Sequence, residues 1–201
     1  SIAGFGNMTA LSTSGSSRPF DAGRDGFVLG EGAGVLVLEE YEAAQARGAT
    51  ILGEILGAAS NADAHHITAP APGGSGAVAC MELALADAGL DPGDIRQINA
   101  HGTSTPLNDA AEAEAIAKVF GPSGPPVVST KGVTGHALGA AGALEAVAVL
   151  LSMEKRLIPP TEGDGVRLDG RAGPMILAPA ADPDPTQPWP SFLRRVELRR
   201  H

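Results

Sequence analysis

The sequence predicts an α/β domain in which helices pack on a mixed sheet, and three observations predict it. Short apolar runs alternate along the chain with runs of helical period, the pattern of strands interleaved with helices. The 27 glycines and 16 prolines fall between those runs and not in low-complexity blocks, so they punctuate a folded chain. Apolar residues make up 43% while aromatics make up 3%, which requires an aliphatic core. No short fixed-period repeat is present.

The elements follow in order. Residues 2–11 offer one or two helical turns, and 12–21, STSGSSRPFD, is rich in turn formers. Residues 35–38 read as a buried strand leading into a helix that Gly48 stops. Residues 49–60 read as a second long strand, its glycines marking bulges or close packing. The polar stretch 60–74 is too long to be a plain connector. Residues 75–90 form an amphipathic helix with Ser75 as N-cap and Gly89 as C-cap. A strand at 94–100 leads into NAHGTSTPLND, and 109–121 is a helix with an Asp109-x-x-Glu112 capping box and Gly121 as its stop. A short strand at 125–130 precedes a long buried helix at 137–155, and 171–179 gives a last strand. Beyond it periodicity is lost.

Composition narrows the function. A net charge of −9 argues against nucleic acid as a partner. Arg194, Arg195, Arg199 and Arg200 crowd the last eight residues and are the local exception. The single cysteine, Cys80, allows no internal disulfide and fits a reducing, cytoplasmic setting. No apolar run reaches the length of a membrane span, so no membrane is expected.

Several motifs are best given their plainer meaning. Gly30, Gly32 and Gly34 precede an expected strand instead of following one, so they favour tight backbone packing over a phosphate cradle. His65 and His66 are neighbours on a loop and lack Cys or Glu at metal spacing; hydrogen-bonded loop histidines are expected, and no metal. Cys80 sits mid-helix without a cation or helix start beside it, as a small core residue does. His101 follows a strand and opens a Gly/Thr loop, where α/β folds collect binding groups. On residues alone a structural and a catalytic histidine are equally supported there. His136 stands near a helix start, five residues after Lys131. Glu145, nine residues on, falls about 180° round an ideal helix from His136. A carboxylate in so apolar a helix needs a partner, and Lys131 is the candidate.

Four blocks then carry a resemblance: SRPFDAGRDGFVLGEGAGVLVLEEYEAAQARGA, INAHGTSTPLNDAAEAEAI, STKGVTGHALGAAGALEA and LIPPT. In this order, from residue 2 to 161, the chain resembles the β-ketoacyl-acyl-carrier-protein synthases, and within them the elongating type II condensing enzymes. The resemblance implies a thiolase-like fold. Residues 1–180 are expected to be its C-terminal α/β/α half, and 181–201 a divergent Arg-rich tail.

It further implies an acyltransferase of fatty acid or polyketide synthesis that condenses a malonyl unit, after loss of CO₂, with an acyl thioester. His101 and His136 would be its active-site histidines. Lys131 would organise the site electrostatically with Glu145 as its associated acid. Thr103 and Thr105 would hold the pantetheine arm of an acyl carrier protein, and His66 would stand near the substrate entrance. No metal or redox cofactor is implied. The nucleophilic cysteine of the family is expected upstream of Ser1, so partners would be carrier protein and a cysteine-bearing N-terminal half or second chain, in a homo- or heterodimer. The family's Phe-containing, glycine-rich closing loop is expected after residue 180, where DPDPTQPWPSFLRRVELRRH stands instead. Alone, the chain is expected not to condense. The alternative is a catalytically inactive ketosynthase-like partner that binds a synthase or carrier protein.

Overall fold

The computed structural model describes residues 2–159 and 161. The expected strand at 171–179, the tail after 180 and its arginines lie outside the described residues.

Helix α1 (Ile2–Asn7) and helix α2 (Tyr41–Ala46) are short. α2 ends where the sequence places its stop: Gly48, at φ 73°, and Ala49 donate back to Gln45 O and Ala44 O, satisfying two of the last carbonyls. Helix α3 (Ser75–Ala88) has Gly74 as N-cap and not Ser75, which is already in the first turn; Gly89, at φ 66°, is its C-cap. Helix α4 (Pro106–Phe120) starts three residues before the expected position because Pro106, whose φ is preset for a first turn, follows Thr105 as N-cap. The expected capping box is therefore absent. Asp109 and Glu112 lie inside the helix and turn to other partners.

The sheet is shorter than expected. Among the described residues, strands β1 (Ile98–Asn99) and β2 (Val127–Val128) form one parallel pair, in register Ile98 to Val127 and Asn99 to Val128. Residues 35–38 and 49–60 form no ladder among the described residues, and Val35, Leu38 and Ile55 are 83%, 61% and 62% exposed. An apolar run becomes a buried strand only where a neighbour pairs with its backbone and covers its face; among the described residues Val37 makes an isolated bridge and neither run extends into a ladder. Helix α5 (Lys131–Thr134) and a single 3₁₀ turn precede helix α6 (Ala141–Lys155), so the long helix starts four residues later than its apolar pattern.

The core gathers Phe20, Ala100, Ile116 and Val127, with Met81, Ile98, Ala113 and Phe120 packed against it. Each large member contributes about 1.5–3 kcal/mol by leaving water. The glycine-rich stretch 30–34 lies against the 134–136 turn and α6. A Cβ on Gly30 would strike Thr134 O, and one on Gly34 would stand 2.9 Å from Ala143 Cβ. Close packing, and not a phosphate cradle, is what these glycines serve.

Candidate functional site

Because β1 and β2 run parallel, their carboxyl ends open on the same side, where α/β folds collect ligand groups. β1 runs through Ala100 into His101, and β2 runs through Ser129 into Lys131. Gly102 is obligatory at this junction: it sits at φ 43°, and a Cβ would stand 2.5 Å from Ser129 Cβ. Ser129 Oγ donates to Gly102 O at 3.0 Å and closes the two strand ends together.

Lys131 is the hub. It is 1% exposed, and its Nζ donates to His101 O at 2.6 Å while forming an ion pair with Glu145. The partner expected for Glu145 is thus the one it has. α5 ends at Gly135, and His136 is then fixed by its backbone: its N–H donates to Val28 O at 2.7 Å and its carbonyl accepts from Gly30 N at 3.1 Å. The clearance that Gly30 provides is what lets these two segments touch.

The two imidazoles meet. Their ring centroids are 5.3 Å apart and their planes 86° apart, and Phe27 packs edge-on to His136 at 5.3 Å. His136 Nδ1 accepts from Leu138 N at 3.2 Å, which leaves the proton of the neutral ring on Nε2 as a donor. Removal from water, then the Lys131 charge, then His136 itself bring the His101 pKa down to about 4. Loss of water contact and Lys131 also lower that of His136. His101 keeps an exposed edge and His136 is half-buried, yet both are held neutral at physiological pH. Two neutral N–H donors beside a buried cation suit an oxyanion that develops during a reaction.

Thr103 Oγ1 and Thr105 Oγ1 lie 2.8 Å apart on the loop after His101. His66 stays outside this cluster: its Nδ1 accepts from Thr68 N and Ala69 N, both at 3.1 Å, the local loop bonding expected of it. Cys80 is half-buried, with Sγ 3.6 Å from Ala59 O. Among the described residues no group of three or more His, Cys, Asp or Glu is placed to hold a metal ion, and no helix is long and apolar enough to cross a membrane.

Two carboxylates that hold the backbone of the site loop escape a sequence reading that treats them as a cap. Glu112 accepts from His101 N at 2.7 Å and Gly102 N at 2.8 Å, so it fixes the backbone that carries His101. Asp109, 1% exposed, accepts from Phe20 N at 2.8 Å and Ser104 N at 3.1 Å, with Arg24 3.8 Å away. Burial raises the pKa of both despite these bonds. The available signal was two acids at helical spacing within an alanine-rich helix, since a buried carboxylate requires donors.

With this geometry in hand, comparison with known proteins is informative. Residues 52–163 match the family pattern described as Beta-ketoacyl synthase, C-terminal domain, and residues 1–44 match Beta-ketoacyl synthase, N-terminal domain. The boundary between them, at 44 to 52, falls inside the expected 1–180 unit. The 3-oxoacyl-[acyl-carrier-protein] synthase 2 of Staphylococcus aureus is 52% identical over 166 residues, covering 80% of this chain and 41% of the relative. That of Vibrio cholerae is 48% identical over 182 residues, covering 83% and 44%. Among solved structures, the ishigamide ketosynthase/chain length factor superposes with a TM-score of 0.79 at 44% identity, covering 84% of this chain and 41% of that one. A type II polyketide ketosynthase in complex with its acyl-carrier protein gives 0.77 at 42% identity, over 80% and 41%. The chain spans about two fifths of the length of the curated relatives it matches.

Proposed function

The chain belongs to the β-ketoacyl synthase family, with its thiolase-like fold, and from that membership we propose that it supplies the two histidines of a decarboxylative condensing site. The substrate is a malonyl thioester carried on the pantetheine arm of an acyl carrier protein. The bond between the malonyl α-carbon and its carboxylate breaks, CO₂ leaves, and the electron pair becomes an enolate. His101 and His136 donate to the enolate oxygen. The α-carbon then attacks an acyl thioester, expelling the thiolate that carried the acyl group.

The observation that carries this reading is the pair of neutral imidazoles in contact, with His136 Nδ1 bonded to Leu138 N so that Nε2–H is the free donor. Donors that are not strong acids stabilise the enolate without protonating its carbon. Lys131 anchors His101 through its carbonyl and is itself anchored by Glu145. Thr103 and Thr105 meet the arm. His66, bonded within its own loop, has a place near the entrance on the family resemblance alone. The acyl-bearing thiolate comes from a cysteine other than Cys80, contributed by the N-terminal half of the site or a second chain, because the Cys80 thiol is turned to Ala59 O. No metal or redox cofactor enters the proposed scheme, and the setting proposed for it is the cytoplasm.

The test is CO₂ release from malonyl-carrier protein by the chain combined with its cysteine-bearing half. Removing one oxyanion donor costs on the order of 10²–10³ in rate, so His136→Ala should lose at least a hundredfold. A variant within tenfold of the parent would overturn the role. No release by the parent would favour the second reading, a ketosynthase-like partner that binds carrier protein without turnover.

A further inference from the structure

Ser104 stands between the two threonines and is unlike either. It is fully buried, at 0% exposure, and has φ 66°, a left-handed conformation that a side chain disfavours and that glycine would adopt freely. Every polar atom it has is engaged. Its N–H donates to Asp109 Oδ2 at 3.1 Å, its carbonyl accepts from Gly26 N at 2.9 Å, and its Oγ accepts from Arg18 N at 2.8 Å. The same Asp109 oxygen receives the N–H of Phe20, another left-handed residue at φ 62°. One carboxylate thus pins two strained residues from segments far apart in sequence.

The consequence falls on the neighbours. In an extended chain, residues i and i+2 share a side but stand about 6.5 Å apart. The left-handed turn at Ser104 curls the chain so that Thr103 Oγ1 and Thr105 Oγ1 come to 2.8 Å. Thr105, although the N-cap of α4, makes no side-chain cap bond, so its hydroxyl is not committed to the helix. Arg24 holds the far side of the same turn by donating to Thr105 O at 3.3 Å and Pro106 O at 3.0 Å.

We propose that Ser104 is a positioning residue: its hydroxyl latch to Arg18 N and its left-handed backbone set the two threonine hydroxyls side by side as a two-point clamp for an amide-bearing thiol arm. This rests on the threonines being the contacts for that arm, as in the proposed function. Ser104 itself touches no ligand. A serine is needed where glycine is easier because only the hydroxyl accepts from Arg18 N and ties the turn to the 18–26 segment.

The probe is pantetheine, and the readout is its Kd for the full chain by ligand-observed NMR. Ser104→Ala should raise Kd about five- to tenfold, as Thr103→Val should. Ser104→Gly, which adopts the left-handed turn freely but lacks the latch, should recover part of that loss. Leu150→Val, a buried change on α6 outside the core cluster that holds Phe20, should lower Tm yet leave Kd within twofold, separating positioning from general stability. An unchanged Kd in Ser104→Ala, with Thr103→Val impaired, overturns the inference. So does failure of the parent chain to bind pantetheine, or a Thr103→Val variant that binds as the parent does. The two readings fail separately: no binding by the parent, or an unaffected Thr103→Val, removes the threonine contacts on which the inference rests, whereas an unchanged Kd in Ser104→Ala beside an impaired Thr103→Val sinks only the role of Ser104.

Discussion

Replacing Lys131 by Met removes the charge at the centre of the site while keeping most of the side-chain stem that fills its 1% exposed position. Two interactions disappear: the ion pair with Glu145 and the 2.6 Å bond to His101 O. Breaking a buried pair by removing one partner costs about 3–5 kcal/mol, because the other charge remains. Glu145 is still 18% exposed, so water reaches it and the low end applies, about 3 kcal/mol. At about 2–4 °C per kcal/mol for a chain of this size, Tm should fall by roughly 10 °C in a reversible thermal melt. Adding Glu145→Gln removes the stranded carboxylate and should recover part of the loss. The histidines report the same event. Without the cation the His101 pKa should rise from about 4, but not all the way to its ordinary value, since loss of water contact is the larger cause and persists. An NMR titration of the imidazole C–H signals reads this directly. A Tm within about 2 °C of the parent, or a His101 titration that does not move, would refute this account of Lys131.

Two more outcomes are expected. In the parent, His101 should titrate near pH 4 and His136 below its ordinary value, so neither donor should be half-protonated at pH 6.5 and CO₂ release should hold there; a half-loss at pH 6.5 would contradict the shifts. Gly30→Ala should destabilise by about 1–3 kcal/mol and cut CO₂ release, because the new Cβ meets Thr134 O at the end of α5, two residues before His136, which bridges Leu29 beside Gly30; unchanged melting and activity would show that the turn yields without cost.

Helices were legible where local signals sufficed. Gly48, Gly89 and Gly121 stop three helices at the residues expected, since a C-cap depends on the conformational freedom of one residue and the carbonyls just before it. Starts were less legible: Ser75 and Asp109 both look like caps, but Gly74 and Thr105 hold those positions. The strands were less legible for a different reason. Those expected at 94–100 and 125–130 are present as the short β1 and β2, whereas 35–38 and 49–60 have the apolar content of strands but form no ladder among the described residues; a strand is defined by what lies beside it.

The sequence by itself determined the aliphatic α/β character, the helix stops, the close-packing role of the 30–34 glycines and the candidate residues, and four ordered blocks carried the family resemblance. Only the tertiary structure decided how those residues serve the site. His101, Lys131, His136 and Glu145 come from separate segments, brought together because two short strands pair in parallel and glycines at 30 and 102 permit backbone contact. It also turned Glu112 and Asp109 from helix caps into anchors of the 101–104 loop. Local propensity acts through neighbours in sequence. A buried carboxylate or lysine takes whichever donors or acceptors the fold sets within about 3 Å, and that depends on segments far away along the chain.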